Sequence, residues 1–279
     1  EDSSSVSSFA VNSFRYLQNF AAGSLRPELG GIDIGTSSVK FVLLGRERGK
    51  LLIKDVQIEK LAKLSAVERR EEKEKELQNA LVKIASRVKS KTKVGIALND
   101  PSLFAEPLAI QLGSEKDLRA VVQKELSEKH LIDPAASFFD YMATSAPDTL
   151  NKTQNLFVVA APRELVYRQF GIAQSAGFRV LSVETNALAT LFALRRVLQG
   201  DSSEKVLFLD IGFRYTNLGI LFGGRLVFNR IIPIAGERFT RAVERELRCD
   251  FEAAEQLKIQ HGLKYMERFR PQDAGLEAE

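Results

Sequence analysis

Gly31-Ile32-Asp33-Ile34-Gly35-Thr36-Ser37-Ser38-Val39-Lys40 is an apolar strand that ends in an acidic residue, turns through small polar residues and returns as a second apolar strand. Leu209-Asp210-Ile211-Gly212-Phe213-Arg214-Tyr215-Thr216-Asn217 repeats that order. Each stretch predicts a β-hairpin with a carboxylate beside its tip. Two such hairpins with matching flanks predict a duplicated domain whose acidic tips face each other across a cleft.

Outward from the first hairpin, strands over residues 29–34, 39–44 and 51–58 make a meander, with Gly45-Arg46-Glu47-Arg48-Gly49 as the second turn. A charged helix over about residues 66–90 follows, with Val67, Leu77, Leu81, Ile84 and Val88 inward and the run Glu71–Glu76 as a solvated face. Lys93–Leu98 is the next strand. Residues 101–177 change rhythm and read as an inserted α+β lobe. Its parts are a strand near 103–110, a helix capped by Ser114, strands over 137–144 and 155–161, and a helix opened by Pro162 and closed by Gly177. A strand over 178–183 and a helix over 186–199 precede a second meander over 206–211, 218–222 and 225–234, with a helix from Gly236. The first half is therefore 29–100 with 178–204, the lobe 101–177, and the second half begins at 205. Residues 1–28 read as an extension, either a mobile tail or an amphipathic helix bearing Phe9, Phe14, Leu17, Phe20 and Leu25.

Composition excludes several classes. At 44% hydrophobic and 27% charged residues the chain is of globular type, and a formal net charge of +4 spread along it argues against nucleic acid. The single cysteine, Cys249, excludes an intrachain disulfide, and two distant histidines, His130 and His261, make no zinc pattern. No apolar run reaches the ~20 residues that a membrane-spanning helix needs. There is no Walker A lysine motif, no G-x-G-x-x-G and no G-x-S-x-G.

A tight hairpin tip presents backbone N–H groups to an anion such as phosphate. Gly35 and Gly212 allow the close approach or unusual φ that such a tip demands, Thr36, Ser37 and Ser38 add hydroxyl donors, and Lys40 adds a positive charge. Asp33 and Asp210 would repel a polyphosphate unless a divalent cation lay between them, so the pattern predicts Mg²⁺ with its nucleotide in the cleft.

On these residues the sequence resembles the actin, heat-shock chaperone and sugar-kinase superfamily. Within it the sequence is most similar to the PilM family of type IV pilus assembly, and more distantly to the cell-division FtsA proteins. Val183-Glu184-Thr185-Asn186-Ala187-Leu188 and Ile234-Ala235-Gly236-Glu237-Arg238-Phe239-Thr240 carry the resemblance further. It implies an actin-like (ribonuclease H-like) α/β fold of duplicated domains, with the glycine-rich C-terminal part of the second domain absent from this chain. It also implies an ATP and Mg²⁺ site, with Gly35, Thr36, Ser37, Ser38, Lys40, Gly212 and Thr216 on the nucleotide and Asp33 and Asp210 on the metal. Asp210 and Glu184 would be the catalytic residues of at most a slow ATPase; Glu184 also reads as a charge in the first turn of the helix from Asn186. The implied partner is a cytoplasmic N-terminal peptide of a bitopic, PilN-like inner-membrane pilus protein, in a groove bordered by the lobe, with self-association as a further expectation. The implied location is the cytoplasmic face of the inner membrane. Phe213, Arg214 and Tyr215 depart from the family's small residues. They keep open a nucleotide-independent scaffold of the type II secretion kind, alongside an FtsA-like protein and a sugar or acetate kinase of the same fold.

Overall fold

The computed structural model describes residues 28–48, 50–61, 70–112, 117–129, 131–148, 150–197 and 205–262. The expectations for the N-terminal extension, Val67 and Ser114 lie outside these residues.

The first half is built on β1 (Glu28–Ile34), β2 (Ser38–Glu47), β3 (Lys50–Lys60), β4 (Lys93–Leu98) and β8 (Arg179–Thr185), ordered β3-β2-β1-β4-β8. β1 is antiparallel to β2 and parallel to β4, and β4 is parallel to β8. Strand alternation sorts its residues cleanly. Ile32 and Ile34 point with Val39, Phe41, Val94, Ile96 and Leu98 into a core under α1 (Arg70–Ser86) and α3 (Arg163–Ser175), whereas Gly31 and Asp33 point the other way. α1 buries Leu77, Ala80, Leu81 and Ile84, the 3–4 spacing of one helical face. The turn after β2 is tighter than the five-residue loop expected: Glu47 pairs directly with Lys50, and Arg48 takes the left-handed φ of 49°. Gly45 lies inside β2, where a Cβ would come within 2.7 Å of the Lys54 side chain.

The lobe contributes β5 (Phe104–Gln111), α2 (Leu118–Glu128), β6 (Ser137–Ala143) and β7 (Thr153–Pro162), with sheet order β5-β7-β6. α2 is capped by Asp117, whose side chain accepts from the Arg119 amide at 2.9 Å, a position three residues beyond the expected cap. β7 is buried on both faces. Leu156, Val158 and Ala160 pack with Leu108, Ile110, Val122 and Leu126 in the lobe's own core. Phe157 and Val159 pack the opposite way, against α4 (Asn186–Val197) and the second half. The helix α3, grouped with the lobe by sequence, sends Leu165, Val166 and Ala173 into the first half's core. Gly177, at φ 104°, ends it, and the Arg168–Glu74 ion pair at 3.8 Å ties it to α1.

The second half carries β9 (Lys205–Ile211), β10 (Thr216–Phe222) and β11 (Arg225–Ile232), ordered β11-β10-β9, then α5 (Gly236–Leu247) and α6 (Phe251–His261). α6 has no counterpart in the sequence reading; Asp250 caps it through the Ala253 amide. Phe208, Leu221 and Leu226 meet α4 and the lobe's Phe157. Gly219 lies directly opposite Phe208, and a Cβ there would fall 2.2 Å from the ring. The Gly219→Ala variant is expected to lose about 1–3 kcal/mol through overpacking, read as a fall of several degrees in thermal unfolding. Adding Phe208→Leu should recover part of that loss.

Candidate functional site

The two hairpins are built alike at atomic level. Asp33 pairs with Lys40 and Ile34 with Val39 across β1 and β2; Asp210 pairs with Asn217 and Ile211 with Thr216 across β9 and β10. The Gly35 amide donates to Ser38 O at 3.1 Å, and the Gly212 amide donates to Tyr215 O at 3.0 Å. A Cβ on either glycine would come within 2.9 Å of that same acceptor carbonyl. Neither glycine has a positive φ, so it is close approach that requires glycine at both tips.

On the first sheet, Lys40, Asp33, Ala97 and Glu184 lie in one row across β2, β1, β4 and β8, pointing away from the helices. One row below, Gly31, Gly95 and Ser182 leave a floor without bulk. Gly31 is solvent-exposed in the middle of the sheet, and nothing lies within 4 Å of where its Cβ would be. Two strand spacings, about 10 Å, separate the positions of Asp33 and Glu184. The Lys40 ammonium sits 2.8 Å from Asp33 Oδ2. Glu184 is buried, and it is the penultimate residue of β8 rather than a first-turn residue of the following helix.

The second tip reaches the same edge through two asparagines. The Asn186 amide, at the start of α4 directly after β8, donates to Asp210 Oδ2 at 2.7 Å. The Asn217 amide donates to Asn99 Oδ1, just past the end of β4, at 3.1 Å. Asp33 and Asp210 are therefore both placed at the C-terminal edge of the first sheet's parallel strands. Among the described residues no three acidic, histidine or cysteine side chains converge on one point.

The bulky residues of the second tip turn toward the final helices. Phe213 meets Phe251 edge-on at 6.4 Å between centroids, and Arg214 pairs with Glu237 at 3.2 Å. α5 is seated on the tip: the Gly236 and Glu237 amides donate to Gly212 O and Phe213 O at 3.0 and 2.7 Å. Behind it the Lys258 ammonium donates to Thr240 Oγ1 at 2.9 Å and to Gly236 O at 3.3 Å, and pairs with Glu255 at 2.7 Å. Thr216 departs from the role expected of it. It occupies the position of core residue Val39, and its hydroxyl donates to Ile234 O at 2.6 Å, on the sheet face opposite Asp210. The sequence reading missed Asn217, Asn99 and the role of Asn186. Asn217 was recoverable, since it stands seven residues after Asp210 as Lys40 stands seven after Asp33.

Two halves that each bring a glycine-tipped hairpin with an aspartate to the same sheet edge define a protein of the actin-like fold. The structure is similar to that of a PilM–PilN type IV pilus biogenesis complex, with a TM-score of 0.74 at 23% identity, over 88% of this chain and 73% of that one. It is also similar to the cytoplasmic domain of EpsL, an inner-membrane component of the type II secretion system of Vibrio cholerae, with a TM-score of 0.50 at 13% identity, over 77% of this chain and 74% of that one. The family described as type IV pilus assembly protein PilM matches residues 31–268. The chain belongs to that family, and it is an actin-like protein of type IV pilus assembly. Among the described residues no helix is long and apolar enough to cross a membrane.

The Asp140 carboxyl of the lobe is displaced far from its ordinary range. Burial pushes the Asp140 carboxyl up to about 6 from an ordinary 3.8, against the opposing pull of the Tyr141 amide and Arg119. A carboxyl that holds its proton more tightly when folded favours the fold in acid, and that contribution is lost as pH rises through about 6. Asp140→Asn is expected to raise the melting temperature by a few degrees at pH 7.5 and to change it little at pH 4, measured by differential scanning fluorimetry across that range.

Proposed function

We propose that this protein is a nucleotide-responsive scaffold of the pilus machine, binding Mg·ATP between the two hairpins and a short peptide of a PilN-like membrane protein at the border of the lobe. The carrying observation is the pair of bonds Asn186–Asp210 and Asn217–Asn99, which bring the second aspartate to the sheet edge that bears the first. Gly35, Thr36, Ser37, Ser38 and Lys40 would hold phosphate from one side, and Gly212 from the other. Asp33 and Asp210 would orient the hydrated Mg²⁺, which when bound neutralises the phosphate oxygens. The residues fit such a group: the floor at Gly31 is open, with nothing within 4 Å of where its Cβ would lie. Hydrolysis would be slow, because Asp210 already accepts from Asn186 and Glu184 is buried.

The peptide half of the proposal rests on β6, whose only pairing among the described residues is with β7, leaving the other edge open to an added strand. Beside it the α3 residue Tyr167 meets Phe138 edge-on at 5.5 Å, and Arg163 lies 4.2 Å over the same ring. The lobe's contacts with the second half, through Phe157 and through the Arg225 guanidinium donating to Thr144 O, would carry a change in the cleft to that edge. The EpsL-like alternative, a scaffold without nucleotide on the cytoplasmic side of the inner membrane, is favoured by Lys40 already neutralising Asp33 and by Thr216 bonding to Ile234.

Mg·ATP is expected to raise the melting temperature by several degrees, and Asp33→Ala or Asp210→Ala to abolish the rise; an unchanged melt in the parent would favour the nucleotide-free scaffold. In fluorescence polarisation with a labelled N-terminal peptide of a PilN-like protein, Tyr167→Ala is expected to weaken binding roughly tenfold. Undiminished binding by that variant would move the peptide away from the β6 border.

A further inference from the structure

The two bonds that join the second hairpin to the first sheet have a directional chemistry of their own. Asn99 follows β4 and Asn186 follows β8, which are adjacent strands, so their attachment points are about one strand spacing, ~5 Å, apart. Asp210 and Asn217 are direct partners on β9 and β10, so the side chains that meet those points share one face of the second sheet. One hydrogen bond between two bodies leaves them free to swivel; two side by side remove that freedom. Asn217 is 1% exposed, so losing its acceptor would leave a buried amide unsatisfied.

The polarity of the two pins is opposite. In one, the first half donates, from the Asn186 amide to the Asp210 carboxylate; in the other it accepts, at the Asn99 carbonyl from the Asn217 amide. The two carboxylates of the cleft are also treated differently. Asp33 carries a paired ammonium, whereas Asp210 receives a neutral amide, which orients a carboxylate and leaves its charge in place. Asp210 is thus oriented from across the seam, on a sheet that Phe208, Leu221 and Leu226 seat against α4.

We infer that Asn99 and Asn186 are the positioning residues of the cleft: through the two opposed hydrogen bonds they fix the separation of the hairpin tips and the orientation of Asp210. The spacing role stands without any nucleotide, and only the consequence for ligand rests on the proposed function.

Donor direction makes the test sharp, because the same change at the two asparagines has opposite expected outcomes. Asn99→Asp keeps the oxygen that accepts from Asn217, while Asn186→Asp removes a donor and sets a second negative charge against Asp210. Spin labels on cysteines replacing the exposed Lys60 and Arg238, in a Cys249→Ser background, report the distance between halves by double electron–electron resonance. The parent and Asn99→Asp are expected to give one narrow distribution. Asn186→Asp and Asn99→Leu are expected to give broadened distributions, with circular dichroism confirming a folded chain. If Asn99→Leu fails to fold, the Asp pair alone decides. Identical distributions for Asn99→Asp and Asn186→Asp would overturn the inference. In the same variants the Mg·ATP melting rise should persist in Asn99→Asp and require at least tenfold more nucleotide in Asn186→Asp. Absence of the rise in the parent itself would count against the nucleotide proposal, while the distance measurements would still judge the seam.

Discussion

The hairpin tips leave no room for a Cβ. At Gly35 and again at Gly212 the amide closes on a carbonyl three residues ahead, and a side chain would enter the same 2.9 Å gap. This constraint holds the turn to two residues, Thr36-Ser37 in one case and Phe213-Arg214 in the other. With the turn length set, the pairing of Asp33 with Lys40 and of Asp210 with Asn217 follows, because hairpin register is determined by loop length. With the register set, alternation places each aspartate on the face away from Ile32 and Ile34, or from Leu209 and Ile211. The acidic positions at the cleft are thus a consequence of backbone geometry at two glycines.

One strand of the lobe carries much of its contact with the second half. β7 divides its side chains between two cores, Leu156, Val158 and Ala160 to the lobe and Phe157 and Val159 to α4 and the second half. The lobe is consequently a bridge, and α4 fills the space beneath it with Ala187, Leu188 and Leu191. Apolar contact of this kind is close-packed, so displacement of the second half is felt at the lobe. The second sheet differs from the first on its outer face: Leu207, Leu209 and Ile211 are 59%, 54% and 56% exposed, where the equivalent face of the first sheet lies under α1 and α3.

Duplication of the hairpins did not duplicate their electrostatics. Position seven after the aspartate is an ammonium in the first copy and an amide in the second, and the second amide is buried between the halves, which it bridges. One copy is charge-balanced within itself, while the other depends on Asn186 and Asn99 from across the seam.

Much of this was legible in the sequence because its causes are local. Strand alternation around Ile32 and Phe208, the helical spacing of Leu77, Leu81 and Ile84, and the repeated glycine tip all act over a few residues, and they were enough to place both hairpins. What escaped depends on contacts between distant segments. The helix α3 joins the first half's core because Leu165 and Val166 meet that core, which nothing within residues 163–175 announces. Thr216 looks like a phosphate ligand in sequence but occupies the core position of Val39, where its hydroxyl satisfies Ile234. Asn99 and Asn217 are 118 residues apart, and each alone is an ordinary polar residue. Local residue order is enough to show two acidic hairpins; that they share an edge follows from the folded chain, because hydrogen bonds between segments distant in sequence leave no periodic trace.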